Sequence, residues 1–178
     1  MVGWYHSGME QLLNLLLLAL ELLLPAPAVA PTAPPPLASS TLATVVRVID
    51  GDTIVVAYEG GEEVVRYIGI DAPEQYRNQS PECYANDAAA ANAALVRGQT
   101  VRLVPDVELQ DKYGRALRYV YVGETFVNQA LIESGHARTL PIPPNRTHAR
   151  ELYAEQEAAR AAGRGLWLAC EGRRDMFH

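Results

Sequence analysis

The chain has 178 residues, 49% of them hydrophobic and 20% charged, with a net charge of −6 at neutral pH. That length holds one domain and an appendage, and the acidic balance argues against a tight, non-specific nucleic-acid binder of the basic kind. The two cysteines, Cys83 and Cys170, are spaced to fit no zinc motif.

The first 38 residues carry Glu10 and Glu21 and no lysine or arginine; without them the chain keeps 15 basic and 19 acidic side chains, a net of −4. Residues 12–24 (LLNLLLLALELLL) contain 11 apolar positions in 13, short for a membrane span. They suit the hydrophobic region of a signal peptide, with small-residue cleavage sites at Ala26-Pro27-Ala28 or Ala28-Val29-Ala30. The region before them lacks a positive charge, and Pro31 follows the second site. Residues 1–30 therefore read as a signal peptide or an N-terminal membrane anchor, with a leucine-rich amphipathic helix as the remaining alternative. Met1 or Met9 is the start. Export predicts a secreted or periplasmic protein; an uncleaved segment 12–24 predicts a membrane tether. Residues 31–40, with PTAPPP, form a Pro-rich linker.

From residue 41 the pattern changes. Residues 41–49 alternate as a first strand; residues 53–58 and 64–70, rich in Val, Ile and Tyr, form a second and a third, joined by the turn signal Glu59-Gly60-Gly61. Asp50 and Asp52 flank Gly51, as turn residues do, and the turn role falls to Asp50. Asp52, Asp71 and Glu74 stand just before the second strand and just after the third, where a scaffold aims loop residues at one point. Converging carboxylates suit a hard cation, and the guanidinium of Arg66 beside them suits a phosphate. Metal and phosphate together outline a phosphodiesterase.

Residues 81–97 are an alanine-rich helix closing at Gly98, and residues 100–107 a fourth strand. The turn Asp111-Lys112-Tyr113-Gly114-Arg115 leads into a fifth strand, 116–122, in which Arg118 reads as an exposed side chain. Arg115 offers a second cation to a phosphorane-like transition state. Residues 126–134 form a second helix and 147–162 a third, with Thr147 as its N-cap. Leu152, Ala159, Leu166 and Trp167 read as core-facing, and 171–178 as a tail. Five strands and three helices make an α+β domain over 41–170. In an exported protein Cys83 and Cys170 can form one bridge; inside a cell they remain two thiols.

IDGDT, then R-x-x-G-I-D-A-P-E, DKYGR, and NRTH before a helix ending in GLW follow in that order across residues 41–167. In this the chain resembles the staphylococcal nuclease (thermonuclease) family. The resemblance implies a five-stranded OB-fold barrel with three helices. It further implies one Ca²⁺ ion held by Asp52, Asp71 and the backbone carbonyl of Ala72, a water activated by Glu74, and a scissile phosphate held by Arg66 and Arg115. Lys112 and Tyr113 would bind an adjacent phosphate. The implied activity is hydrolysis of DNA and RNA, preferentially single-stranded, to 3′-phosphate products by a monomer without a stable protein partner. The rival reading is a non-catalytic OB-fold module that binds nucleic acid or protein.

One stretch departs from the family. In HARTLPIPPN the positions of Leu140 and Ile142 carry tyrosines in the staphylococcal enzyme that contact the nucleotide; aliphatic side chains stack less well on bases. One of the X-Pro bonds at Pro143-Pro144 is a candidate for cis. Arg77 reads as a solvated arginine more than a phosphate contact. His136 and His148 read as structural, and no Ser-His-Asp order or nucleophilic-cysteine context suggests covalent catalysis.

Overall fold

The computed structural model describes residues 39–75 and 80–172. The leader and most of the linker, Arg77, and residues 173–178 lie outside them. Alternating burial in β1 (Thr41–Val48) turns Ala43 and Val45 inward. β1 pairs antiparallel with β2 (Thr53–Tyr58), which returns through Gly60 to β3 (Gly61–Tyr67). On its other edge β1 pairs with β5 (Thr100–Val104), and β5 with β6 (Ala116–Val122). A parallel pairing of β3 with β6 then closes the five strands into a barrel, with Val65 opposite Ala116 and Arg66 opposite Leu117. Closure removes the free sheet edges. It also draws the end of β3 and the start of β6 together. β7 (Thr125–Phe126) extends β6, and β4 (Gly69–Asp71) pairs with β8 (Arg138–Leu140) as a separate ribbon.

The helices α1 (Ala85–Val96), α2 (Val127–Glu133) and α3 (Ala149–Ala161) cover the barrel. Ile54, Val56, Val65, Val101, Leu103 and Val120 form one core with Ala88, Val96, Leu131, Ile132 and Leu152. Burying each of the larger of these side chains contributes about 1.5–3 kcal/mol. The α+β barrel is the expected OB-fold. A fourth short helix, α4 (Leu166–Ala169), adds to the three expected and grows from the GLW segment.

Several boundaries differ from the sequence pattern for local reasons. The strand expected over 64–70 breaks after Tyr67, because Gly69 takes φ +79°, a conformation side chains disfavour, and a Cβ there would stand 2.9 Å from Leu152 Cδ1. The fourth strand stops at Val104, since Pro105 has no N–H to donate. The first helix begins at Ala85, four residues late, after Tyr84 at φ 72°. Thr147 is not the N-cap of α3. That position is His148, and the Thr147 hydroxyl and N–H both donate to Asp106 (3.0 and 3.1 Å). Arg118 is half-buried rather than exposed and donates to the carbonyls of Leu109 and Leu117, each at 2.8 Å. Leu152, Ala159 and Leu166 are buried, whereas Trp167 is half-buried with Arg160 over its ring.

Cys83 and Cys170 are joined in a disulfide across 87 residues, with Cα atoms 6.0 Å apart. A loop of that length restricts the unfolded chain by about 4–5 kcal/mol in the entropy model. The peptide bond between Pro143 and Pro144 is cis.

Candidate active site

The site forms where barrel closure meets the β4–β8 ribbon. Asp50 Oδ1 accepts the N–H of Asp52 at 3.0 Å, so Asp50 is the turn residue of D-G-D. Gly51 lies against the site floor: a Cβ there would stand 2.5 Å from Ala72 Cβ and 2.9 Å from Ala88 Cβ. This crowding leaves room only for glycine between the two aspartates. Asp52 is thereby turned inward, 2% exposed. Its Oδ2 accepts the N–H of Ala72 at 2.6 Å and meets Arg66 Nη1 at 2.8 Å; its Oδ1 accepts the Thr53 hydroxyl at 3.0 Å.

Arg66 is the hub. Besides Asp52 it donates to the Ile70 carbonyl at 2.9 Å and to Asp71 Oδ1 at 3.1 Å. The second Asp71 oxygen is held by Arg138 Nη2 at 3.0 Å, across the β4–β8 pairing that sets Asp71 opposite Arg138. Burial pushes the Asp52 carboxyl up to about 7; Arg66 opposes this, and Asp50 and Asp71 add to it. Glu74, exposed at the rim, is also raised, first by partial desolvation and then by Asp50, Asp71 and Glu82, against Arg66. Five carboxylates, Asp50, Asp52, Asp71, Glu74 and Glu82, thus share one region and repel one another.

On the far side of Arg66 opens a cavity of about 360 Å³. Arg66, Lys112, Tyr113 and Arg115 line it together with Leu140 and Ile142. The DKYGR turn is tied by Asp111, whose Oδ1 accepts the N–H groups of Tyr113 and Arg115 (2.9 and 3.0 Å) and whose Oδ2 meets Arg115 Nε at 2.7 Å. Arg115 and Lys112 lie over the Tyr113 ring, 5.6 and 5.0 Å from its centroid. The aliphatic pair of the departing stretch, Leu140 at 42% and Ile142 at 62% exposure, forms an open apolar lip.

The seven other residues read from the sequence as site residues therefore gather around Arg66: Asp52, Asp71, Ala72 and Glu74 on one side, Lys112, Tyr113 and Arg115 on the other. His136 and His148 stand elsewhere. His136 Nδ1 lies 2.8 Å from the Ser134 hydroxyl, and His148 packs on Tyr119 and Phe126 and meets Glu151 at 3.0 Å.

Sequence reasoning passed over the residues that hold the site. Buried Asn92 accepts the Tyr67 hydroxyl and donates to the Asp50 carbonyl, both at 2.9 Å. Buried Asn128 ties Val120 to Ile68, and buried Asn145 closes two bonds on the Glu108 backbone, at the cavity wall. A lone amide among alanines, as in AANAAL, is the signal that marks Asn92. Arg138 carried no signal before its register with Asp71 was known.

The donors of the acidic side suit a hard divalent ion: the Asp52 and Asp71 carboxylates and the Ala72 carbonyl are oxygens, in a region where neighbouring carboxylates raise Asp52 and Glu74 against the pull of Arg66. Among the described residues no three His, Cys, Asp or Glu side chains stand close enough to hold an ion by themselves.

Residues 64–169 match the family model described as staphylococcal nuclease homologue. The chain is 35% identical over 124 residues to the thermonuclease of Staphylococcus hyicus, covering 69% of this chain and 73% of that protein. It is 38% identical over 122 residues to the thermonuclease of Staphylococcus intermedius, covering 68% and 73%. It is 35% identical over 127 residues to endonuclease YncB of Bacillus subtilis, covering 70% and 60%. A match that spans the β3–β6 closure, the DKYGR turn and the helices behind them places this chain in the staphylococcal nuclease family.

Proposed function

We propose that this nuclease is a Ca²⁺-dependent phosphodiesterase that hydrolyses single-stranded DNA and RNA to 3′-phosphate products. The observation that carries the reading is the position of Arg66: one guanidinium touches both Asp52 and Asp71 and lines the cavity that holds Arg115 and Lys112. A binding module has no need to set a buried and a half-buried carboxylate behind its phosphate-binding arginine.

Asp52, Asp71 and the Ala72 carbonyl would hold the ion, which would supply Lewis-acid chemistry at the phosphate. Glu74 takes the proton of the attacking water at its carboxylate, a role worth about 10²–10⁴ in rate. The water oxygen bonds to phosphorus, the bond to the 5′ oxygen breaks, that oxygen takes a proton from solvent to leave as a hydroxyl, and the phosphate stays on the 3′ side. Arg66 and Arg115 donate to the equatorial oxygens as charge builds there, so their contribution falls on kcat. Lys112 and Tyr113 take the neighbouring phosphate. The aliphatic lip at Leu140 and Ile142 gives the base weak purchase. With a net charge of −6, substrate binding is modest and salt-sensitive. Export is part of the reading, because a disulfide such as Cys83–Cys170 persists in oxidising compartments.

The test is degradation of denatured DNA by the full chain with Ca²⁺. Activity should stop with a chelator and return with Ca²⁺. Activity that survives chelation, or an unchanged rate in both Glu74→Gln and Arg66→Ala, overturns the proposal.

A further inference from the structure

Glu74 sits at the exposed rim, yet its backbone is gripped from one place. Its N–H donates to Glu82 Oε2 at 2.9 Å, and its carbonyl accepts the N–H of Glu82, also at 2.9 Å. Both hydrogen-bonding groups of the Glu74 main chain thus end on a single residue eight positions on. Glu82 is fixed in turn by its neighbour. Cys83 is bonded to Cys170, which is fully buried and follows α4; α4 is tied to the body of the domain by buried Leu166, whose N–H donates to the Gly135 carbonyl at 2.9 Å. Beyond Cys83, Tyr84 holds φ 72°, a sparsely populated conformation that persists only where the surroundings enforce it, and its ring packs on His136 at 5.3 Å.

We propose that Glu82, anchored by the Cys83–Cys170 bond, is a positioning residue that holds Glu74 at the mouth of the site. This rests on Glu74 acting on the attacking water. A base displaced by about 1 Å loses on the order of 10² in rate while the phosphate-binding arginines keep their grip on substrate. The device lowers kcat when broken and leaves KM alone.

The experiment compares kcat and KM of the oxidised full chain with Glu82→Ala, Glu82→Gln and the double variant Cys83→Ser/Cys170→Ser, on denatured DNA with Ca²⁺, well below each unfolding midpoint. Glutamine keeps an oxygen for the Glu74 N–H and alanine does not. Glu82→Ala and the double serine variant should each lose about tenfold or more in kcat with KM within about twofold, and Glu82→Gln should recover most of the loss. Should the double variant fail to fold, the alanine–glutamine pair still decides. Unchanged kcat in Glu82→Ala, equal damage from alanine and glutamine, or a loss confined to KM overturns the positioning role. Glu74→Gln separates the two levels. A large loss there with none in Glu82→Ala sinks the positioning alone, whereas no loss in Glu74→Gln removes the reading of Glu74 on which it stands.

Discussion

Asp52 is 2% exposed and bonded to Arg66, Ala72 and Thr53, and Asn92 holds the carbonyl of Asp50 beside it. On the far side of Arg66, Tyr113 is 72% exposed, and the DKYGR turn hangs on the carboxylate of Asp111. Asp52, the anchor of the acidic side, is thus seated in the core, whereas the cationic side is a surface turn brought to the site by barrel closure. Its consequence is that function and stability are coupled on one side and separable on the other.

The largest effects separate the two arginines. Arg66→Ala leaves Asp52 buried beside Asp50 and Asp71 without its cation. Breaking a buried pair in this way costs about 3–5 kcal/mol, so both the rate and, with chelator present, the unfolding midpoint should fall sharply. In the proposed mechanism Arg115→Ala removes a donor to the transition state, worth about 10²–10³ in rate. Its pair with Asp111 is one-third exposed on the arginine side, and such a pair contributes only about 0–1 kcal/mol. The midpoint should hardly move. Rate assays and thermal melts on both variants check the contrast; an equal loss of stability would erase it.

The same division decides what the sequence revealed. Asp52, Arg66, Asp71 and Arg115 were legible because a charge beside a run of Val and Ile is costly without a use, and the islands that hold them sit close to strand ends. The register that joins them was not. Nothing in VVRYIGID announces that Arg66 lies opposite Leu117, or that Asp71 lies opposite Arg138, since pairings across tens of residues depend on how the sheet closes. Thr147 misled for a related reason: its hydroxyl found a distant acceptor, Asp106, in place of the local helix N–H that its spacing suggested. The first four residues of the first predicted helix failed because the Cys83 bridge and Tyr84 claim the chain before it can wind.

A middle-sized effect tests the lip. Leu140 is 42% exposed at the cavity mouth and contributes contact without stacking. Leu140→Tyr adds an aromatic face, worth ~1 kcal/mol at the low end of base–aromatic stacking. KM for single-stranded substrate should fall about fivefold, with kcat nearly unchanged because the lip touches no reacting atom. A change in kcat instead would move Leu140 into the catalytic machinery.

The smallest effect concerns Asp111 and separates the two sides by pH. Burial alone would raise its carboxyl, but the bonds from the Arg115 side chain and from the N–H groups of Arg115 and Tyr113 outweigh burial and hold it below the ordinary carboxylate range. A carboxyl lowered on folding stabilises the fold above its unfolded value. That contribution is lost as pH falls from the ordinary range through the lowered one. Asp111→Asn keeps an oxygen for the two N–H groups and gives up the charge that faces Arg115. Over that acidic window the wild-type melting temperature should therefore decline more steeply than that of the variant, the two converging at the acid end. The acidic side titrates in the opposite sense: burial raises Asp52, which disfavours its charged form in the metal-free fold. Parallel curves for the wild type and Asp111→Asn would mean that Arg115 is held by the turn itself and not by the charge of Asp111.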